Sequence, residues 1–146
     1  MSWKDNMGPE RAGMLAEAQP REAREWLQQA RSAVAASDFE GARVYYLKCV
    51  ESWRQANVLC DGAYQEHWQE ATREYESFVE KDPVFAGLFE KLQPVIAGNP
   101  GILQTELYKK LPEIYKAHMS YVLYFAAKQG KIVRKKKGRT YEISLA

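Results

Sequence analysis

The sequence predicts a mainly α protein built as two modules: an N-terminal three-helix bundle, then a second helical module that closes on a small β-hairpin. Three observations predict it. Apolar residues recur at three- and four-residue spacing over most of residues 20–129. Only after Gly130 does the chain turn to two short β-type runs, residues 131–135 and 139–145, joined at Lys136-Lys137-Gly138. The charge also changes sign along the chain. Residues 1–99 hold 11 Lys and Arg against 16 Asp and Glu, a net of −5, whereas residues 100–146 hold 10 against 3, a net of +7. The formal total of +2 therefore hides two surfaces suited to different partners.

Residues 1–19 show no sustained period and carry Gly8, Pro9 and Gly13, so a loosely ordered N-terminal arm is expected. Pro20 fits the first turn of a helix running to about Ala36, with Trp26, Leu27, Ala30, Ala33 and Val34 on one face. Ser37 or Asp38 can cap a second helix, because a short side-chain oxygen there accepts an orphan backbone N–H. Its stripe is Phe39, Ala42, Tyr45, Tyr46, Cys49, Val50 and Trp53, ending near Ala56. After turn residues around Asn57 to Gly62, a third helix is expected over residues 63–81, with Tyr64, Trp68, Ala71, Tyr75, Phe78 and Val79 inward.

Residues 20–81 thus form an acidic helical domain. Within residues 20–56, Trp26, Ala30, Asp38, Phe39, Ala42, Tyr46 and Cys49 fall at the spacing of a tetratricopeptide-type helical hairpin, which this segment resembles. Gln29 stands where Leu is usual, the closing Pro is absent, and no second copy follows at a period of about 34 residues, so a repeat array is excluded. The hairpin also resembles three-helix domains that bind short helical peptides. Either resemblance implies an interaction or dimerisation domain, and a plain three-helix bundle accounts for the same residues.

Asp82-Pro83 starts the next helix, Asp as cap and Pro at the first helical position, with Val84, Phe85, Leu88, Phe89, Leu92 and Ile96 as its stripe. Pro94 is expected to bend or loosen its last turn, and Gly98-Asn99-Pro100-Gly101 stops it. A domain seam is expected near residues 82–100, where the charge changes sign. A short helix from Gln104 or Thr105 carries Leu107 and Leu111 and ends at Pro112. A longer one spans residues 113–129, with Met119, Val122, Leu123 and Ala126 inward and Gly130 as its C-terminal cap. The hairpin follows, with Ile132, Tyr141 and Ile143 available to cover the core.

That order, with QTELYKKL and then a long helix running into AAKQGKIVRKKKGRTYEI, resembles the winged helix-turn-helix family over residues 83–146. The resemblance implies a basic winged helix domain: a supporting helix at residues 104–111, a recognition helix at 113–129 and a wing at 131–145. It implies duplex DNA as the partner. On the wing, Arg134, Lys135, Lys136, Lys137 and Arg139 would neutralise phosphates and supply affinity more than sequence choice. On the recognition helix, the family's pattern puts Lys116, Ala117, His118, Ser120, Tyr121 and Tyr124 toward the major groove. No Arg, Asn or exposed Gln stands at that helix's centre for bidentate base contacts, which points away from sequence-specific reading.

The functional expectation is a non-enzymatic DNA-binding protein, a transcriptional regulator, dimeric through helices. An adaptor that docks protein or peptide on the winged helix and the helical hairpin is the alternative, and RNA binding through the tyrosines is a third reading. An enzyme is not expected: the chain has no Gly-rich phosphate loop and no Ser or Cys nucleophile with a positioned base. Cys49, Cys60, His67 and His118 lack metal-ligand spacing, so no metal or cofactor is expected and both thiols should be reduced. No apolar run approaches the length of a membrane span. The charged, Gly- and Pro-broken start is unlike a signal peptide, which makes the expected location cytoplasmic.

Overall fold

The computed structural model describes residues 8–146; the first seven residues of the expected arm lie outside the described residues. The chain divides into two compact units, one up to Phe78 and one from Val79 to Ala146. Among the described residues there are six helices and one small antiparallel sheet, and no helix is long and apolar enough to cross a membrane.

The first unit is built from α1 (Pro9–Ala35), α2 (Phe39–Leu59) and α3 (Gln65–Val79). Helix α1 begins at Pro9, eleven positions before the expected start at Pro20, so residues 9–19 are helical where an arm was expected. A proline within a helix removes one hydrogen bond, here to the Ala16 carbonyl. Packing against α2 outweighs that loss: Ala23 is fully buried, and Gln19, itself buried, donates from Nε2 to Gln55 Oε1 at 2.8 Å. The α1/α2 contact is made of small residues, Ala23 and Ala30 against Ala42, Cys49 and Ala56, all fully buried. Absent bulk lets the backbones approach, while Trp53, Trp26, Leu27, Tyr64 and Trp68 fill the space around them.

Of the two candidate caps for α2, Asp38 is used: its carboxylate accepts from the Gly41 N–H at 3.0 Å. A Cβ at position 41 would meet the end of that side chain, and the Asp38 carboxylate would have to shift to make room for it. Helix α2 runs past Ala56 to Leu59 because Asn57, read as a turn residue, is buried and bridges α2 to the next helix. Its Oδ1 accepts from the Tyr64 N–H at 3.0 Å and its Nδ2 donates to Gln65 Oε1 at 2.8 Å. Asp61 and Gly62, both at positive φ, make the turn.

Helix α3 is held by Glu74, which accepts from Arg31 at 2.7 and 3.1 Å and from the Tyr46 hydroxyl at 2.8 Å, with the Tyr46 ring stacked on Tyr75. The Arg31 hydrogen bond, aided by Tyr46 and opposed by burial, holds the Glu74 carboxyl below its ordinary range. A depressed folded value stabilises the fold above the unfolded value and is lost as pH falls through the folded one. Glu74→Gln is therefore expected to melt below wild type at pH 7, with the gap closing as pH falls below about 4. Thermal melts across that range measure it; a pH-independent gap would assign the loss to something other than ionisation.

The second unit comprises α4 (Pro83–Gly98), β1 (Ile102–Leu103), α5 (Gln104–Lys110), α6 (Lys116–Lys128), β2 (Ile132–Lys137) and β3 (Thr140–Leu145). Asp82 caps α4 from the 1% exposed position it occupies, accepting from the Val84 N–H at 3.0 Å. Pro94 leaves α4 unbroken to Gly98: it and Glu90, whose carbonyl loses a partner, are both exposed, so water can serve that carbonyl. Helix α6 starts at Lys116, three residues later than expected, since the chain after Pro112 first turns to bury Ile114.

The sheet has three strands in the order β1-β3-β2, all antiparallel. Two residues are too short a strand to show a period, so β1 was not legible in the sequence. Pairing of Lys137 with Thr140 confines the hairpin turn to Gly138-Arg139, with Gly138 at φ 64°; Lys136 and Lys137, expected in the turn, belong to the strand. The core joins Phe85, Leu92 and Ile96 of α4 to Leu107, Met119, Val122, Leu123, Ile132 and Ile143.

Gln129, after the last turn of α6, has both amide atoms buried with no partner among the described residues. A buried unpaired polar group costs about 1 to 3 kcal/mol. Gln129→Met, which keeps the volume and removes the amide, is expected to raise the urea midpoint of this unit; a lowered midpoint would show that the amide is satisfied in solution.

Candidate nucleic-acid interface

The second unit carries 12 Lys and Arg against 6 Asp and Glu, a net of +6, and its cations are divided by the pleat of the hairpin. Alternation along β2 puts Ile132, Arg134 and Lys136 on one side and Val133, Lys135 and Lys137 on the other. Arg134, opposite Ile143, lies with its guanidinium 3.5 Å from the Tyr141 ring centroid and donates from Nε to Gln104 Oε1 at 3.2 Å. Gln104 is buried and donates in turn to the Tyr108 hydroxyl at 2.6 Å. Arg134 is thus spent tying β2 to β3 and to the start of α5. Lys137 pairs with Glu142 at 3.3 Å across the strands. Lys135, Lys136 and Arg139 are exposed and form no ion pair among the described residues.

Helix α6 packs Met119, Val122, Leu123 and Ala126 inward and against β2. A rotation of about 100° per residue then places Ala117, Tyr121, Tyr124 and Lys128 on the opposite face, with Ser120 and Lys116 at its edge. Tyr124 is 46% exposed and Tyr115, just before the helix, 68%. Two residues read as base-facing meet other parts of the unit. The Tyr121 hydroxyl donates to Asp82 Oδ2 at 2.8 Å, with its ring edge-on to Phe85 and Phe125. His118 is half-buried and lines a groove with Pro83, Val84, Leu88 and Lys91 of α4.

Lys128 was missed by the sequence reading, although it lies four residues after Tyr124 and its ammonium sits 5.6 Å from that ring. Lys109 and Lys110 are exposed in the last turn of α5, and the leucine period of that helix gives no sign of them. Of the residues singled out in advance, Lys116, Tyr124, Lys135, Lys136 and Arg139 are exposed and Ser120 is half-buried, while Tyr121 and Arg134 make contacts within the unit.

Among the described residues no group of three or more His, Cys, Asp or Glu is arranged to hold a metal. Cys49 is buried, and burial followed by the nearby Glu74 charge pushes its thiol up to about 11, so at pH 7 it is a protonated, poor nucleophile. The chain matches no family model, no curated protein and no solved structure.

Proposed function

We propose that this chain is a non-enzymatic duplex DNA-binding protein of the winged-helix type, tolerant of DNA sequence, with a role in transcriptional regulation. The observation that carries the reading is the cluster of Lys135, Lys136 and Arg139, three exposed cations at the free end of a hairpin within a unit of net charge +6. The order α4-β1-α5-α6-β2-β3 with β3 central in the sheet supports the family reading. The hairpin would lie against phosphates and α6 would enter the major groove with Lys116, Ser120, Tyr124 and Lys128 outward. At the centre of that face Ala117, Ser120 and Tyr124 offer no bidentate edge to a base, and the two lysines stand at the first and last positions of the helix, hence the tolerance. His118, Tyr121 and Arg134 act as positioning residues. A homodimer through helices belongs to the proposal, because two such units share one effective concentration.

Fluorescence anisotropy with two unrelated duplexes tests it. Binding to both within a few-fold of each other is expected, with log K falling against log salt at a slope of about −3 to −5 for three to five phosphate contacts. No binding at low salt removes the reading. A protein-docking role for the same unit is favoured by one observation, the exposure of Tyr115, Tyr124 and Val133; salt-insensitive recruitment of a protein by this unit would be its mark. Preference for single-stranded RNA over both duplexes would turn the reading toward RNA.

A further inference from the structure

A cleft of about 500 Å³ opens in the first unit, lined by Glu22, Glu25, Trp26, Gln29 and Tyr45. It lies where α1 meets α2, far in sequence from the cations discussed above and independent of the DNA reading. Spacings of three and four residues put Glu22, Glu25, Trp26 and Gln29 on one strip of α1, and Tyr45 comes from α2. The Trp26 and Tyr45 rings stack with centroids 5.9 Å apart and planes 16° from parallel. Both rings are half-buried, whereas Glu22 and Glu25 are exposed and have no cationic partner among the described residues.

We propose that this cleft receives a lysine or arginine side chain of a basic partner peptide. An aromatic face attracts a cation through the ring quadrupole, and a carboxylate beside it adds a charge-assisted hydrogen bond. The Trp26 ring already takes a cation, the chain's own Lys48, whose ammonium sits 4.4 Å from its centroid, and an incoming side chain displaces Lys48 from it. Arginine suits the arrangement further, because its planar guanidinium can stack on a ring while its edge meets a carboxylate. The surrounding unit has 9 Lys and Arg against 13 Asp and Glu, a net of −4, which draws basic segments in and repels phosphate. An apolar side chain would leave two carboxylates to be desolvated without return, and an acidic one would be repelled outright.

The test uses the full chain and a fluorescein-labelled octapeptide with two arginines in an alanine background, beside its glutamate counterpart. The arginine peptide is expected to bind and the glutamate peptide not. Glu22→Gln with Glu25→Gln is expected to weaken binding by about tenfold or more, while Glu66→Gln with Glu70→Gln, an equal change of charge on α3, changes it by less than about twofold. Tyr45→Ala, checked for folding by circular dichroism, is expected to weaken binding without any change in charge. Equal losses from the two carboxylate pairs would show general attraction to an acidic unit and overturn the site, as would absence of binding at millimolar peptide. DNA titrations of the same variants should be unchanged, so this proposal and the DNA reading stand or fall separately.

Discussion

Reversing Lys135, Lys136 and Arg139 to glutamate is expected to weaken duplex DNA binding by at least about a hundredfold at about 100 mM salt, and to flatten the salt slope by about three. Each of the three is exposed with no ion pair among the described residues, so each reversal removes a phosphate contact and adds a repulsion. The loss should be equal for every duplex, because contacts of this kind carry no sequence information. Arg134→Ala makes the contrast. Its guanidinium lies on Tyr141 and donates to Gln104, so that variant is expected to lower the urea midpoint first and to lose DNA only as far as it unfolds. A triple reversal that binds like wild type at low salt would sink the DNA reading. An Arg134→Ala variant of full stability and lost affinity would return Arg134 to the interface.

The second large effect is on stability. Asp82 is 1% exposed and carries two loads, the N–H of Val84 at the start of α4 and the hydroxyl of Tyr121 from α6. Asp82→Ala removes a helix cap, at about 1 kcal/mol, and takes from the half-buried Tyr121 hydroxyl the acceptor it holds at 2.8 Å, at about another 1 to 3 kcal/mol. Urea unfolding should register both losses. Tyr121→Phe takes one donor from the buried Asp82 carboxylate and is expected to cost about 1 to 3 kcal/mol, while leaving DNA affinity within about twofold. A double-mutant cycle on Asp82 and Tyr121 isolates their coupling. Additive losses, or a Tyr121→Phe variant that keeps its stability and loses DNA, would show that Tyr121 faces the ligand after all.

These two expectations rest on features read at different distances along the chain. The helices over 20–129, a cap at Ser37 or Asp38 and the cap at Asp82 were legible because each is a matter of a few neighbouring residues: an apolar period, an oxygen before an orphan N–H. The concentration of cations in the last third of the chain needed only counting. Boundaries were less legible. Pro9 and Pro20 are equally good helix starters in isolation; what separates them is the buried Gln19, which donates to Gln55 of α2, a contact that local pattern does not contain.

By itself, then, the sequence determined that the chain is mainly helical, where most helices lie, that it ends in a β-hairpin and that its charge is divided between two parts. Tertiary structure alone decided which charges are free. Lys135 and Arg134 are adjacent and both cationic, yet the pleat sends one to solvent and the other under Tyr141 to Gln104, thirty residues away. Likewise Tyr121 and Tyr124 share a helix, but only Tyr121 comes within reach of Asp82. Strand β1 exists because Ile143 and Glu142 are there to pair with it. A side chain's partner is chosen by what folding brings beside it, and a contact spanning thirty or forty residues leaves no trace in the local period that makes a helix or a strand readable.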